Sequence, residues 1–152
     1  MNYYNKIKKE LINNEINRKV KNYLINRSDL NTYYNVGKLL FEAGNNYGES
    51  IIKEYSKKLT HELDKKYSIR YLFDSRKLYL FSKVHPLDAQ LTMSHYRLLF
   101  PLSDKNEINY YINQSLKYNL SKRELREKIK NKEYERLDES AREKLINREE
   151  IM

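Results

Sequence analysis

The sequence contains no cysteine and no tryptophan, and only three glycines and two prolines occur among its 152 residues. The absence of cysteine excludes a disulfide framework and a zinc site built from thiolates. The scarcity of glycine and proline leaves long stretches without helix-breaking residues, which indicates an all-helical protein. No apolar run approaches the roughly 20 residues that a membrane-spanning helix needs, and no signal-peptide core follows Met1. We therefore expect a cytoplasmic protein with no membrane contact.

Signatures of common catalytic and metal sites are missing as well. The three histidines, His61, His85 and His95, lack the spacing of a metal-binding pair. There is no glycine-rich phosphate loop and no nucleophile elbow. The stretch 62–65 (Glu-Leu-Asp-Lys) approaches the PD-(D/E)xK pattern of metal-dependent nucleases, but it falls at the end of a predicted helix rather than on a strand. We predict that the protein is not an enzyme, that it has no metal or cofactor, and that His95 is hydrogen-bonded in the core.

Apolar residues at three- and four-residue steps predict a succession of helices. Ser28 and Asp29 are expected to cap the second of these helices, and the third is predicted over about residues 49–64. The first helix is predicted to turn one apolar face inward, composed of Ile7, Leu11, Ile12, Ile16, Val20, Tyr23 and Leu24.

Capping residues mark the helices that follow. Ser68 is predicted to begin the fourth helix, and Pro86 ends it because the residue before a proline is displaced from helical geometry. A short apolar helix is predicted over 91–100, and another opens at Ser103 and Asp104. Ser121, with Glu124 three residues later, forms a capping box that begins the next helix.

The resulting fold class is all-α, a compact multi-helix domain with a unit that resembles a helix-turn-helix and a charged C-terminal helix. A single domain over 1–152 is expected, and Pro86 suggests a division into lobes 1–84 and 90–137. The terminal helix is predicted over 138–152, where pairing with a second copy in a homodimer is one further hypothesis.

The unit resembling a helix-turn-helix is predicted around residues 67–72. A tight turn there joins two short helices, of which the second carries Arg70 and Lys77. DNA-binding proteins often present a helix to the major groove in this way, and arginine is the commonest reader of base edges. The alternative interpretation is that Arg70 forms an ion pair with Asp74, one turn further along, inside the protein.

Positive charge is the strongest feature of the composition. The formal net charge is +9, from 30 basic and 21 acidic residues. Residues 53–83 hold nine basic and four acidic side chains, and residues 117–136 hold eight and four. This local excess favours a polyanionic partner, DNA or RNA, over charge that serves solubility alone. The predicted nucleic-acid contacts are Lys57, Lys58, Arg70, Lys77, Lys122, Arg123 and Arg126.

Fifteen tyrosines give the sequence most of its aromatic character. Six of them fall at apolar helical positions, where a core role with the hydroxyl group at an edge is favoured over stacking against bases. These six are Tyr33, Tyr34, Tyr55, Tyr79, Tyr96 and Tyr111.

The order of several segments resembles the N-terminal domain of the YhcG-like family (domain of unknown function 1016), whose members usually continue into a C-terminal PD-(D/E)xK nuclease domain. The similarity extends over roughly residues 30–137. The segments that carry it are 34–40 (YNVGKLL), 47–48 (YG), 55–60 (YSKKLT), 67–72 (YSIRYL), 91–99 (LTMSHYRLL), 110–112 (YYI), 120–125 (LSKREL) and 134–137 (YERL). Two family tryptophans are replaced, by Met93 and Asn119.

The resemblance implies an all-helical domain that binds DNA and delivers a nuclease to it. The nuclease half is missing from this sequence, so a free-standing copy of the binding module is one expectation. The second hypothesis is a protein-interaction module, for example an inhibitor of the anti-CRISPR type, encoded by a mobile element or acting in phage defence. Its partner would be a host nuclease or a defence ribonucleoprotein.

Overall fold

The computed structural model describes residues 2–20, 25–47, 50–137 and 141, which form seven helices and no strand. The all-α prediction is therefore confirmed. No helix in these residues is long and apolar enough to span a membrane. The helices are α1 (Tyr3–Val20), α2 (Ile25–Tyr47), α3 (Ile51–Leu63), α4 (Ile69–Ser82), α5 (Met93–Leu99), α6 (Lys105–Lys117) and α7 (Lys122–Lys130). The predicted terminal helix over 138–152 lies outside the described residues, apart from Ala141.

The chain divides into two compact units, Met1–Ala89 with α1 to α4 and Gln90–Met152 with α5 to α7. In the first unit α2 packs against α1 and α4, and α3 packs against α4. Gly37 lies where α2 meets α4, and a Cβ atom added there would stand only 2.0 Å from the Ser75 carbonyl oxygen. A side chain at this position would thus force two helix backbones apart. The fully buried core around this contact includes Val36, Leu40, Leu59 and Leu72.

Two of the predicted helix starts are confirmed by their hydrogen bonds. The Ser68 hydroxyl accepts a hydrogen bond from the Tyr71 amide at 3.0 Å, and the Ser121 hydroxyl accepts one from Glu124 at 3.1 Å. The predicted cap at Ser28 and Asp29 is wrong, because α2 already begins at Ile25. Asp29 instead accepts a hydrogen bond from the Asn14 amide group at 3.0 Å and so links α2 to α1.

The apolar face predicted for α1 is only partly correct. Ile7 and Leu11 are buried, but Ile12 and Ile16 are exposed. Tyr4, Ile7, Leu11 and Asn14 follow one another at three- and four-residue steps and cover the buried face. Ile12 is turned from that face by about 100° because it follows Leu11 directly. The side chains of Val20, Tyr23 and Leu24 lie outside the described residues.

Aromatic and histidine side chains organise the second unit. Tyr96 and Tyr111 are fully buried, and the Tyr111 hydroxyl accepts a hydrogen bond from the Tyr134 amide at 3.2 Å. His95 is buried, as predicted, with Nε2 at 2.8 Å from the Leu120 carbonyl oxygen and Nδ1 at 3.1 Å from the Thr92 amide. These contacts fit the neutral tautomer that carries its proton on Nε2.

The tyrosines predicted to be core residues are all at least half-buried. Tyr55 is buried, as are Tyr96 and Tyr111. Tyr33 and Tyr34 are half-buried. The Tyr33 ring centre lies 4.6 Å from that of Tyr71. The Tyr34 ring centre lies 5.5 Å from that of Tyr79, which is also half-buried. The structure thus gives these rings packing partners within the first and second units, as the core interpretation requires.

Candidate nucleic-acid interface

Helix α7 is held in place by one apolar side chain and a capping box. Leu125 is fully buried, and α7 contacts both α5 and α6. At the first turn, the Ser121 amide donates a hydrogen bond to Glu124 Oε1 at 3.1 Å while the Ser121 hydroxyl accepts one from the Glu124 amide. This arrangement fixes the rotation of the helix about its axis, so the face opposite Leu125 points to solvent.

Four basic residues share one part of that solvent-facing side, and we call them the α7 basic face: Lys122, Arg123, Arg126 and Lys130. All four are exposed. Since successive residues of an α-helix are turned by about 100°, the four positions fall within an arc of about 100°. Glu124 and Glu127 lie outside this arc. Within the part of the chain that the structure describes, none of the four cations has an ion-pair partner.

Two of the acidic side chains near α7, Glu124 and Glu133, are engaged in other contacts. Hydrogen bonds from the backbone and the hydroxyl group of Ser121 hold the pKa of Glu124 below its usual range, so its charge stays at the helix N-terminus. Glu133 forms an ion pair with Lys128, whose ammonium group lies 3.1 and 3.2 Å from the two carboxylate oxygens. Glu127 is exposed at the border of this arc, four residues after Arg123 and three before Lys130, so the α7 basic face keeps an excess of positive charge with one carboxylate beside it.

The remaining predicted contacts lie on α3 and α4 in the first unit. Lys57 and Lys58 are exposed on α3, and the Lys58 ammonium group lies 4.4 Å from the centre of the Tyr4 ring. Lys77 is exposed on α4. The Arg70 side chain is 86% exposed, and its Nε atom is 4.0 Å from Asp74 Oδ2. The internal Arg70–Asp74 pair is thus present only as a long contact, with Asp74 buried and the guanidinium group in solvent.

The solvent-facing side of α4 differs in chemistry from that of α7. Ile69, Leu80 and Val84 are exposed along it, and the half-buried Phe73 between them packs partly against the core. Arg70 and Lys77 lie on one edge of this stripe. We call these six residues the α4 outer face. Its apolar centre would gain nothing from contact with phosphate groups, whereas exposed apolar patches are typical of protein-interaction sites.

The structure places some of the predicted nucleic-acid contacts on one surface and adds a further cation to them. Lys122, Arg123 and Arg126 share the α7 basic face, while the other four predicted contacts belong to a different unit. Lys130 was missed as a contact, although it follows Arg126 by four residues and the helical period would have indicated it. The exposed apolar residues of α4 were also missed, because the apolar residues of this helix were not divided into buried and exposed ones.

A pair of carboxyl groups is the most perturbed acidic feature of the second unit. Burial raises the pKa of Glu107 to about 7, and a hydrogen bond with Glu135 and the negative charges of Glu135 and Asp104 act in the same direction. The described ranges contain no cluster of three or more histidine or acidic side chains that could hold a metal ion.

Comparison with known proteins identifies the domain type. The family model described as "DUF1016 N-terminal domain" matches residues 7–136. No curated protein and no solved structure matches the chain. The matched domain is the N-terminal one of that family, and the match confirms the resemblance seen in the segments between residues 30 and 137. This chain belongs to the family of the DUF1016 N-terminal domain.

Proposed function

We propose that the chain is a non-enzymatic module that binds double-stranded DNA, with the α7 basic face as its main contact. One observation carries this proposal: four exposed cations lie within one arc of a capped helix and have no ion-pair partner in the described residues. Such a surface attracts the phosphate groups of a nucleic-acid backbone and requires no catalytic residue.

Phosphate contacts of this kind contribute to affinity but give no sequence preference. Arg70 and Lys77 would add contacts from α4 if the helix-turn-helix hypothesis holds, and Arg70 is the one positioned on the first turn of that helix. The apolar stripe beside them makes α4 the weaker candidate for the principal DNA contact. Lys57 and Lys58 are supporting contacts in the same hypothesis.

The proposal is tested by the variant K122A/R123A/R126A against the matched control K6A/K9A/K38A. Both variants lower the net charge from +9 to +6, and all six lysines and arginines are exposed. We expect the first variant to lose about tenfold or more in affinity for a fluorescent duplex of about 20 base pairs, and the control to lose about threefold at most.

Equal losses in both variants would show that net charge alone drives the association, which contradicts a defined interface on α7. Absence of binding by the unmodified chain at about 50 mM salt, where phosphate contacts are strong, would remove the proposal altogether. Mobility-shift titration gives an independent readout of the same affinities.

A second candidate function is a protein-interaction module, for example an inhibitor or adaptor of a host nuclease or defence complex. The observation that favours it is the α4 outer face. A partner captured from a lysate that survives digestion of nucleic acid would support protein contact, whereas a partner lost on digestion would be bridged by nucleic acid.

A further inference from the structure

The α4 outer face is an apolar stripe whose orientation is fixed by the packing behind it. Leu72, Ser75 and Leu78 on the opposite side of α4 are fully buried, and the Ser75 carbonyl oxygen lies against Gly37 of α2. Because this contact leaves no room for α4 to rotate, the side chains of the outer face cannot turn inward. The exposure of Ile69, Leu80 and Val84 is therefore a property of the folded first unit.

The stripe continues beyond the end of α4. The amides of Val84 and His85 both donate hydrogen bonds to the Phe81 carbonyl oxygen, at 3.1 and 2.9 Å, so the backbone keeps a helical turn. Residues 69, 73, 80 and 84 are separated by steps of four and seven, which places them on one side of a helix. Ile69, Leu80 and Val84 are 40%, 38% and 53% exposed. These positions extend over about four helical turns, with Phe73 partly buried and with Arg76 and Lys77 on the turn between Phe73 and Leu80.

The charges along the edge of this stripe indicate which kind of partner surface would bind to it. Arg70 and Lys77 are exposed and lie seven residues apart, which puts them on the same edge, two turns from each other. A second copy of this face would bring like charges together, which is unfavourable. A partner with apolar side chains bordered by carboxylates matches both the stripe and its edge.

We infer that the α4 outer face binds an amphipathic helix of another protein, whose apolar stripe packs against Ile69, Phe73, Leu80 and Val84. Carboxylates on that helix, two turns apart, pair with Arg70 and Lys77. Helix-on-helix packing of this type uses residues at three- and four-residue steps on both partners. The surface is separate from the α7 basic face, so this inference does not depend on the proposed DNA contact.

The test uses a synthetic, fluorescein-labelled amphipathic peptide of about five helical turns, with leucines along one stripe and two glutamates at two-turn spacing beside it. A second peptide carries lysine in place of the glutamates. Fluorescence anisotropy with the full chain is expected to show binding of the acidic peptide at least about tenfold tighter than that of the lysine peptide.

Two variants locate the binding surface, and one control accompanies them. Both I69S/L80S and R70S/K77S change only exposed side chains and should weaken binding of the acidic peptide about tenfold or more. I12S/I16S removes two exposed isoleucines from α1 in the same unit and should leave binding of the acidic peptide unchanged. Thermal melts followed by circular dichroism establish that all three variants are folded.

Several outcomes would overturn the inference. Equal binding of both peptides, or unchanged binding by I69S/L80S, would show that the α4 outer face is not the docking surface. Loss of duplex binding in I69S/L80S would assign the face to nucleic acid instead. A dimer in sedimentation that I69S/L80S dissociates would assign it to a second copy of this chain. Failure of DNA binding by the unmodified chain would leave the peptide result unaffected.

Discussion

At the scale of single residues, Gly37 and Gly44 are two glycines of the same helix in opposite surroundings. A Cβ at Gly37 would meet the Ser75 carbonyl oxygen at 2.0 Å, whereas a Cβ at Gly44 would meet nothing within 4 Å. The sequence places Gly37 within a helical pattern and predicts that Gly44 ends the helix, but the second prediction is wrong because α2 continues to Tyr47. Only the packing of α2 on α4 shows that Gly37 has no room for a side chain. A close approach between two backbones depends on the partner helix and cannot be predicted from the spacing of apolar residues.

The substitution G37A should therefore destabilise the first unit by about 1–3 kcal/mol, because the added methyl group forces α2 and α4 apart. Its control, G44A, should be neutral or stabilise the chain by up to about 1 kcal/mol, since alanine is the better helix former. Urea denaturation of both variants measures the difference. A G37A variant as stable as the unmodified chain would show that α2 and α4 do not approach this closely.

The pair Glu107 and Glu135 gives a prediction about pH. The pKa of Glu107 is raised from 4.5 to about 7 in the folded chain, so between these values the folded state holds a proton that the unfolded state releases. The free energy of unfolding should consequently fall as the pH rises through this window. E107Q should flatten that dependence and be more stable than the unmodified chain at about pH 8.

Melting temperatures taken at intervals from about pH 5 to pH 8 test this. E54Q, which changes an exposed glutamate of α3, serves as the control. Its melting temperature should depend on pH as that of the unmodified chain does. If the melting temperature of E107Q depended on pH as steeply as that of the unmodified chain, a titrating group other than Glu107 would have to cause the dependence.

At the scale of secondary-structure elements, caps were more predictable than apolar faces, although the predicted cap at Ser28 and Asp29 was wrong. Ser68 and Ser121 were predicted as helix starts from local chemistry, and both make the expected hydrogen bonds. Ile12 was predicted to point inward, but periodicity alone gave α1 an apolar stripe wider than α2 can cover. The α7 basic face was predictable in part for the same reason as the caps, because it is a local property of one helix.

Capping of α7 leads to a prediction that separates helix order from charge. S121A removes the capping hydroxyl and should cost about 0.5–2 kcal/mol of stability, fraying the first turn that carries Lys122 and Arg123. Duplex affinity should fall with no change in net charge. S103A, which alters an exposed serine beside the true cap Asp104 of α6, should change neither stability nor affinity, as measured by thermal melts and anisotropy.

An outcome in which S121A melts earlier yet binds duplex with full affinity would contradict the role given to the first turn of α7. In that case Arg126 and Lys130 alone, on the later turns, would have to supply the contact.

At the scale of the whole molecule, the net charge of +9 predicts attraction to polyanions without saying where they bind. The structure divides the exposed surface into chemically different parts: a predominantly basic face on α7 and a mixed apolar and basic face on α4. The sequence grouped Arg70 and Lys77 with the cations of α7 because all are basic. Only the burial pattern of α4 reveals that these two border an apolar stripe.

Dependence of duplex affinity on salt tests the central claim most directly. Four phosphate contacts by the α7 basic face predict a slope of about −3 to −4 for the logarithm of the binding constant against the logarithm of salt concentration. Removing three of them in K122A/R123A/R126A should bring the slope close to −1, while K6A/K9A/K38A should keep the original slope, with values taken between about 50 and 200 mM salt. A slope that is the same in both variants would contradict a defined phosphate-binding face on α7.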